Sequence, residues 1–296
     1  MKIEDKHYAP LGDNGLPINY EDRPELVKGT YEFKVGEEFS VRPPIDPTYL
    51  FIIDVTTSSL ESGIPHMVFQ SLREIVKEKL LNGEEKARFG ILCFDSRIHL
   101  VTINPAAKKP KIITMVGNFD QCPIPVSSIL MTIEDFSDPE VFALLETIPD
   151  SFHRMGDISK AIPIRSLILI TNMLLRSCGG KAVMVLSNDV PDWGDALKIP
   201  PSTNTRSMYL PTNQQFQQQG VNLSMAQISF DFFVFGRGKT RNLITFLNLA
   251  RSICCDICYY PDVREEYLNK FNNEFWLCVT RKLAWETGKF LSISRQ

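Results

Sequence analysis

Asp54, Thr56 and Ser58 stand at alternate positions at and just after the end of the apolar run 49-YLFIIDV-55, and such side-chain oxygens suit a hard divalent cation such as Mg²⁺. Three oxygens on one loop do not complete a site. Asp95 follows the run 88-RFGILCF-94, and Asn188 with Asp189 follows 181-KAVMVLS-187, so neighbouring loops could bring further oxygens to the carboxyl edge of a sheet. The plainer reading has Thr56 and Ser58 capping the helix that comes next. A second passage, 233-FVFGRGKT-240, ends in Gly-Lys-Thr as a phosphate-cradling loop would. That loop needs a glycine five residues before Gly238, where several N–H groups must converge on phosphate, and Phe233 stands there. Tight-turn geometry explains it better.

Other reactive residue types form no constellation. Cys255 and Cys258 make a Cys-x-x-Cys, but the odd spacing in a strand sends them to opposite faces, and no second pair stands at zinc-ribbon distance. His7, His66, His99 and His153 are scattered and belong to no HExxH, Gly-x-Ser-x-Gly or Cys/His pairing. No enzymatic machinery is visible. Lys108, Lys109 and Lys111, and then Arg237, Lys239 and Arg241, are short basic clusters that could touch anionic lipid, although solvated loop charges are the default. The Gln-rich 214-QQFQQQ-219 lies in a helical pattern and is assigned no role.

These residues need elements to hold them. The 296 residues are 44% hydrophobic and 23% charged, enough apolar mass for one large or two ordinary domains. A net charge of −3 advertises no nucleic-acid binder. No apolar run approaches the roughly 20 residues of a membrane span, and MKIEDKHYAPLGDNG has no signal-peptide core, so cytosol or nucleus is the expected compartment. Seven scattered cysteines read as reduced thiols.

From Tyr49 on, strand-length apolar runs alternate with amphipathic patterns, which predicts an α/β fold with a mostly parallel sheet covered by helices on both faces. The strands are 49–55, 88–94, 98–103, 181–187, 228–235 and 255–260, and the helices 62–81, 138–148, 158–174 (with a break or first turn at Pro163), 213–227, 240–250 and 263–283. Asp95, Ser96 and Arg97 make a hairpin that places 98–103 as one antiparallel edge strand. Residues 188–211 form a long Pro-rich connection, and 1–48 an extended lead-in.

Longer strings carry a resemblance. The passages 23-RPELVKGTYEF-33, 38-EFSVRPPIDPTYLFIIDVTTSSLESG-63, 89-FGILCFDSRIHL-100, 179-GGKAVMVLSNDVP-191, 227-QISFDFFVFGRGKTRNLITFLNLA-250, 259-YYPDV-263 and 281-RKLAWE-286 are similar, in order, to the trunk of the cargo-adaptor subunit of the inner COPII vesicle coat, the Sec twenty-four family. The likeness spans about residues 17–290. It implies a von Willebrand A-like α/β domain over 49–285, a lead-in at 1–48 that would follow a zinc finger, and at 286–296 the start of a following β-barrel. Zinc is then expected only in that finger, and no cofactor or metal here, Asp54, Thr56, Ser58 and Asp189 being a degenerate von Willebrand A-type loop.

The resemblance further implies a non-enzymatic adaptor for protein transport from endoplasmic reticulum to Golgi. Its partners would be the paralogous inner-coat subunit as a heterodimer, cytosolic sorting signals of membrane cargo, the coat's small GTPase mainly through the partner, and an anionic membrane surface, with no nucleic acid. It would be peripheral on the cytosolic face of exit sites and vesicles. A basic pocket for acidic sorting signals would fall on Lys86 and Phe39, with Arg88 and Arg42 close by. Lys86 stands where the family more often has Arg, which keeps the charge and loses the bidentate fork. The alternative function is a metal-dependent von Willebrand A-type ligand-binding domain.

Overall fold

The structure, a computed structural model, describes residues 10–27, 46–81, 86–104, 109–116, 129–135, 139–152, 163–187, 214–236, 249–253 and 255–281. Two compact units divide the chain, one of Ile45–Leu283 and one of Met1–Pro44 with Ala284–Gln296. In the smaller unit, Leu11 bridges to Pro17 ahead of a 3-10 turn at Tyr20–Asp22 and the short helix α1 (Pro24–Val27).

The larger unit is built on one sheet. Strands β1 (Thr48–Asp54) and β6 (Gly180–Leu186) are buried along their whole lengths, as continuous apolar runs must be when helices cover both faces. They pair in parallel at the centre. On one side, β1 pairs in parallel with β2 (Arg88–Phe94), which continues antiparallel through β3 (Ile98–Asn104) to β4 (Lys109–Met115). A two-residue β5 (Met131–Thr132) pairs antiparallel with the start of β2. On the other side, β6, β7 (Ile228–Phe235) and β8 (Ile257–Tyr260) run parallel, giving the order β4-β3-β2-β1-β6-β7-β8.

Alternate side chains of each strand feed opposite layers. Tyr49, Phe51 and Ile53 join a core with α3 (Ile64–Lys77), α4 (Pro139–Phe152) and α7 (Glu265–Thr280), whereas Leu50 and Ile52 join one with α5 (Ile164–Leu175) and α6 (Gln214–Met225). The first core is aromatic where α7 lies on the sheet: Phe271 and Phe275 meet Phe233 edge-on, and Phe271 does the same to Phe235 and Tyr260. This is the expected mostly parallel α/β arrangement with helices on both faces.

The antiparallel part is larger than expected. The strand 98–103 forms, but it lies inside the sheet, because β4 adds beyond it and takes the edge. Lys109, Pro110 and Lys111, read as a basic loop, are strand residues of that edge, where lysine and proline discourage pairing with other chains. The predicted helix at 62–81 forms as one helix, α3, and an unexpected short helix precedes it. Residues 57–61 form a short helix α2 (Thr57–Glu61), and Gly63, at φ 76°, turns the chain before α3. The helix foreseen at 158–174 is described from Ile164, with Pro163 at its N-cap, where a missing N–H costs no helical bond. Residues 188–211 and most of 240–250 lie outside the described residues.

Candidate functional site

The carboxyl edge of β1 is the first candidate. Asp54 is buried and its carboxylate is already engaged. Oδ1 accepts from the N–H of Thr56 (2.9 Å) and from its hydroxyl (2.8 Å), while Oδ2 accepts from the N–H of Ser187 (3.1 Å), at the end of β6. The Ser59 hydroxyl donates to the Asp54 carbonyl at 2.8 Å and is in close contact with that of Ser187, which therefore donates to it. Thr56 occupies the N-cap position of α2, yet its side chain makes no capping bond because it turns back to Asp54. The resulting arrangement ties β1, α2 and β6 together.

Beside it, Asp95 closes the β2–β3 hairpin. Oδ1 accepts from the Arg97 N–H at 2.6 Å, the Arg97 guanidinium bridges both oxygens, and His99 Nε2 lies 3.2 Å from Oδ1. Burial by itself would raise the Asp95 pKa, but His99 and Arg97 outweigh it and hold the carboxyl well below its ordinary range. A guanidinium thus supplies the positive charge that Asp95 faces. Asp189 lies outside the described residues, and among those described no group of three His, Cys, Asp or Glu could hold a metal ion.

Lys86 and Arg88 lie at the opposite edge. Arg88 opens β2 and pairs in register with Thr48 of β1 and Thr132 of β5, whereas Asp54 pairs with Phe94 at the far end. Six residues of strand separate the two places by roughly 20 Å, so they are not one site. Lys86 is exposed and Arg88 half-buried, its Nε buried with no hydrogen-bond partner. Neither has a carboxylate at ion-pair distance among the described residues. Phe39 and Arg42 lie outside the described residues, so this structure brings together two of the four expected binding residues.

The remaining motifs resolve simply. Phe233 is inside β7 with its ring in the core, as the reading of 233-FVFGRGKT-240 required, and the Gly-Lys-Thr itself lies outside the described residues. Cys258 packs with one core and Cys255 with the other. His66 lies 3.3 Å from Asp150 at the surface, and His99 is buried against Thr114 and Phe152. An open crevice of about 760 Å³ lies between the N-terminal ends of α3 and α7, lined by Glu61, Ser62 and the 261–264 turn, and it includes none of the expected site residues.

Sequence reasoning did not single out one buried group. Lys181 of β6 lies 2.7 Å from Asp231 Oδ2 of β7 and donates to the Cys278 carbonyl in the last turn of α7, also at 2.7 Å. Each is the one charged side chain of an otherwise uncharged buried strand, and that was the available signal.

No described helix is long and apolar enough to cross a membrane. The model of the Sec23/Sec24 trunk domain matches residues 44–277. Protein transport protein SEC24 A of Arabidopsis thaliana is 24% identical over 96% of this chain and 28% of its own length, and Sec24A of Homo sapiens 27% identical over 89% and 24%. The chain thus spans about a quarter of the length of these relatives. The crystal structure of the human COPII-coat protein Sec24c superposes with a TM-score of 0.74 at 17% identity, over 93% of this chain and 38% of that one.

Proposed function

Because the chain belongs to the Sec23/Sec24 trunk domain family and is of the Sec24 type, we propose that it works as the trunk of a COPII cargo adaptor. In this reading it is not an enzyme and acts through protein surfaces. It pairs with the paralogous inner-coat subunit, meets the small GTPase mainly through that partner, and helps select membrane cargo on the cytosolic face of the endoplasmic reticulum. The observation that carries the reading is the family match across nearly all of the α/β unit. The carboxyl edge supports it, since Asp54 and Asp95 spend their oxygens on Thr56, Ser187 and Arg97. A metal-binding loop would keep such oxygens open.

Mixing the chain with the paralogous subunit of the same organism tests this directly. A one-to-one complex in size-exclusion chromatography with light scattering is the expected result. A folded chain that gives no complex at micromolar concentration would sink the pairing.

Cargo selection is assigned to the amino edge. Lys86 and Arg88 present two cations without carboxylate partners among the described residues, a chemistry that suits an acidic sorting signal. In the full-length adaptor, Lys86→Ala is expected to weaken an acidic signal peptide about twofold to fivefold, the range of an exposed charge pair of up to about 1 kcal/mol. Equal affinities in a fluorescence-anisotropy titration would remove Lys86 from the site.

A further inference from the structure

The stretch between Asp95 and Asp120 holds Arg97, Lys108, Lys109 and Lys111 and no Asp or Glu, in a chain whose net charge is −3. Arg97 is taken up by Asp95. Lys111 has no such use. It is exposed on β4, with no carboxylate at ion-pair distance among the described residues.

The sheet brings Lys111 towards the edge where Lys86 and Arg88 stand. β4 runs antiparallel to β3, which runs antiparallel to β2, so the first residues of β4 lie at the same amino edge as Arg88. Alternation puts Arg88 on the face of Leu92 and Phe94, and Lys111 on the face of Ile113 and Met115, and those four apolar residues all belong to the core beneath α5. The two cations therefore share one face of the sheet. Between them, β3 pairs with β2 only from Ile98 to Val101, and β5 takes its place beside the start of β2. Thr132 of β5 pairs with Arg88, and the Ile103 N–H of β3 donates to Met131 Sδ at 3.3 Å. Three strand spacings of about 4.8 Å thus separate β2 from β4 here, roughly 14 Å. Glu134, exposed, stands in the turn after β5, where the Ile133 N–H donates to the Ala87 carbonyl at 3.1 Å and brings Glu134 level with Lys86. Across the strands the edge reads positive, negative, positive.

We infer that Lys111 is a second contact for the acidic sorting signal, and that the preferred signal carries two acidic residues about four apart with none between them. The inference rests on the signal site proposed above at Lys86 and Arg88 and adds its reach and its spacing rule. An extended peptide advances about 3.4 Å per residue, so four residues cover the roughly 14 Å from β2 to β4. An acid placed between the two would be opposed by Glu134, and that repulsion discriminates against an unbroken acidic run of the same total charge. Lys111 is a point charge on a flexible stem, so it reads the charge and its distance rather than the plane of a carboxylate.

The test is a fluorescence-anisotropy titration of the full-length adaptor, as wild type and as Lys111→Gln, Lys111→Arg and Lys86→Ala, with three nine-residue probe peptides otherwise made of Ala, Ser and Gln. One peptide has Glu at its third and seventh positions, one at its third and fourth, and one at its third alone. Wild type and Lys111→Arg are expected to bind the spaced pair about twofold to fivefold more tightly than the adjacent pair. Lys111→Gln is expected to remove that preference and leave the single-Glu peptide unchanged, while Lys86→Ala weakens all three. A wild type without the preference, or a Lys111→Gln variant that keeps it or weakens all three peptides alike, overturns the second contact and leaves the Lys86 site standing. No response of any peptide to Lys86→Ala overturns the site and this inference with it.

Discussion

Asp231→Ala is expected to remove about 3–5 kcal/mol from the unfolding free energy, the usual result of stripping one partner from a buried ion pair. Lys181 is 1% exposed, so its ammonium would be left facing only the Cys278 carbonyl. Asp231 also holds β8 and the end of α7. Its Oδ1 accepts from the N–H of Asp256 at 2.9 Å, and its Oδ2 accepts from the Cys278 thiol at 3.1 Å. Burial, and then the neighbouring carboxylate, push that thiol up to about 12, which keeps it protonated and donating. Arg281 lies 3.4 Å from the same oxygen and 3.0 Å from Asp256. Urea unfolding followed by far-ultraviolet circular dichroism measures the loss as a lower midpoint at unchanged slope. The double replacement Lys181→Met with Asp231→Leu should recover most of it, since an apolar pair of similar volume avoids the unpaired charge. A double variant as unstable as Asp231→Ala would show that the other bonds to Asp231, and not the charge, carry the effect.

The second large effect is expected at Gly180, the first residue of β6. Its φ of 143° is open to glycine alone, and an added Cβ would lie 2.4 Å from the backbone carbonyl oxygen of Thr48. A flexible side chain could yield there, but backbone paired in a sheet cannot. Gly180→Ala should therefore cost about 3 kcal/mol or more, strain and overpacking adding together. Gly12→Ala, in the smaller unit, serves as the comparison. Its Cβ would meet the movable Asn14 side chain at 3.1 Å, so a small change is expected. An unfolding midpoint for Gly180→Ala within experimental scatter of wild type would mean that β1 and β6 can separate there at little cost.

Much of this fold was legible because its strands are buried on both faces and so stand out as unbroken apolar runs; β1, β2, β6 and β7 begin and end within a residue of expectation. The edge strand β4 was not legible, since lysine and proline protect an edge from pairing and also erase the strand pattern. The break before α3 was hidden for a different reason. Ser62 and Gly63 look like the start of a helix, and the single turn of α2 is too short to show a period.

The candidate site divides in the same way. Asp54 and Thr56 could be found from spacing, but what fills the Asp54 carboxylate includes the Ser187 N–H, a backbone group that residue type does not announce. Lys181 and Asp231 were each visible as a lone charge in an apolar strand, whereas their meeting depends on the neighbouring of β6 and β7, which only the sheet order supplies.

The two halves of the sheet differ in how far the chain travels to make them. From β2 to β4 each strand pairs with the next after only a few residues of chain, while β1 waits for β6, joining residues as distant in sequence as Tyr49 and Lys181. Closing so long a loop is an entropic barrier to be crossed before any contact repays it. The β1–β6 seam therefore zips late during synthesis, after β2–β4 has left the ribosome as a local unit, and β7 and β8 add beyond it. Until then the inner edge of β1 is an open strand, and the interval is the one in which a chaperone would have something to hold.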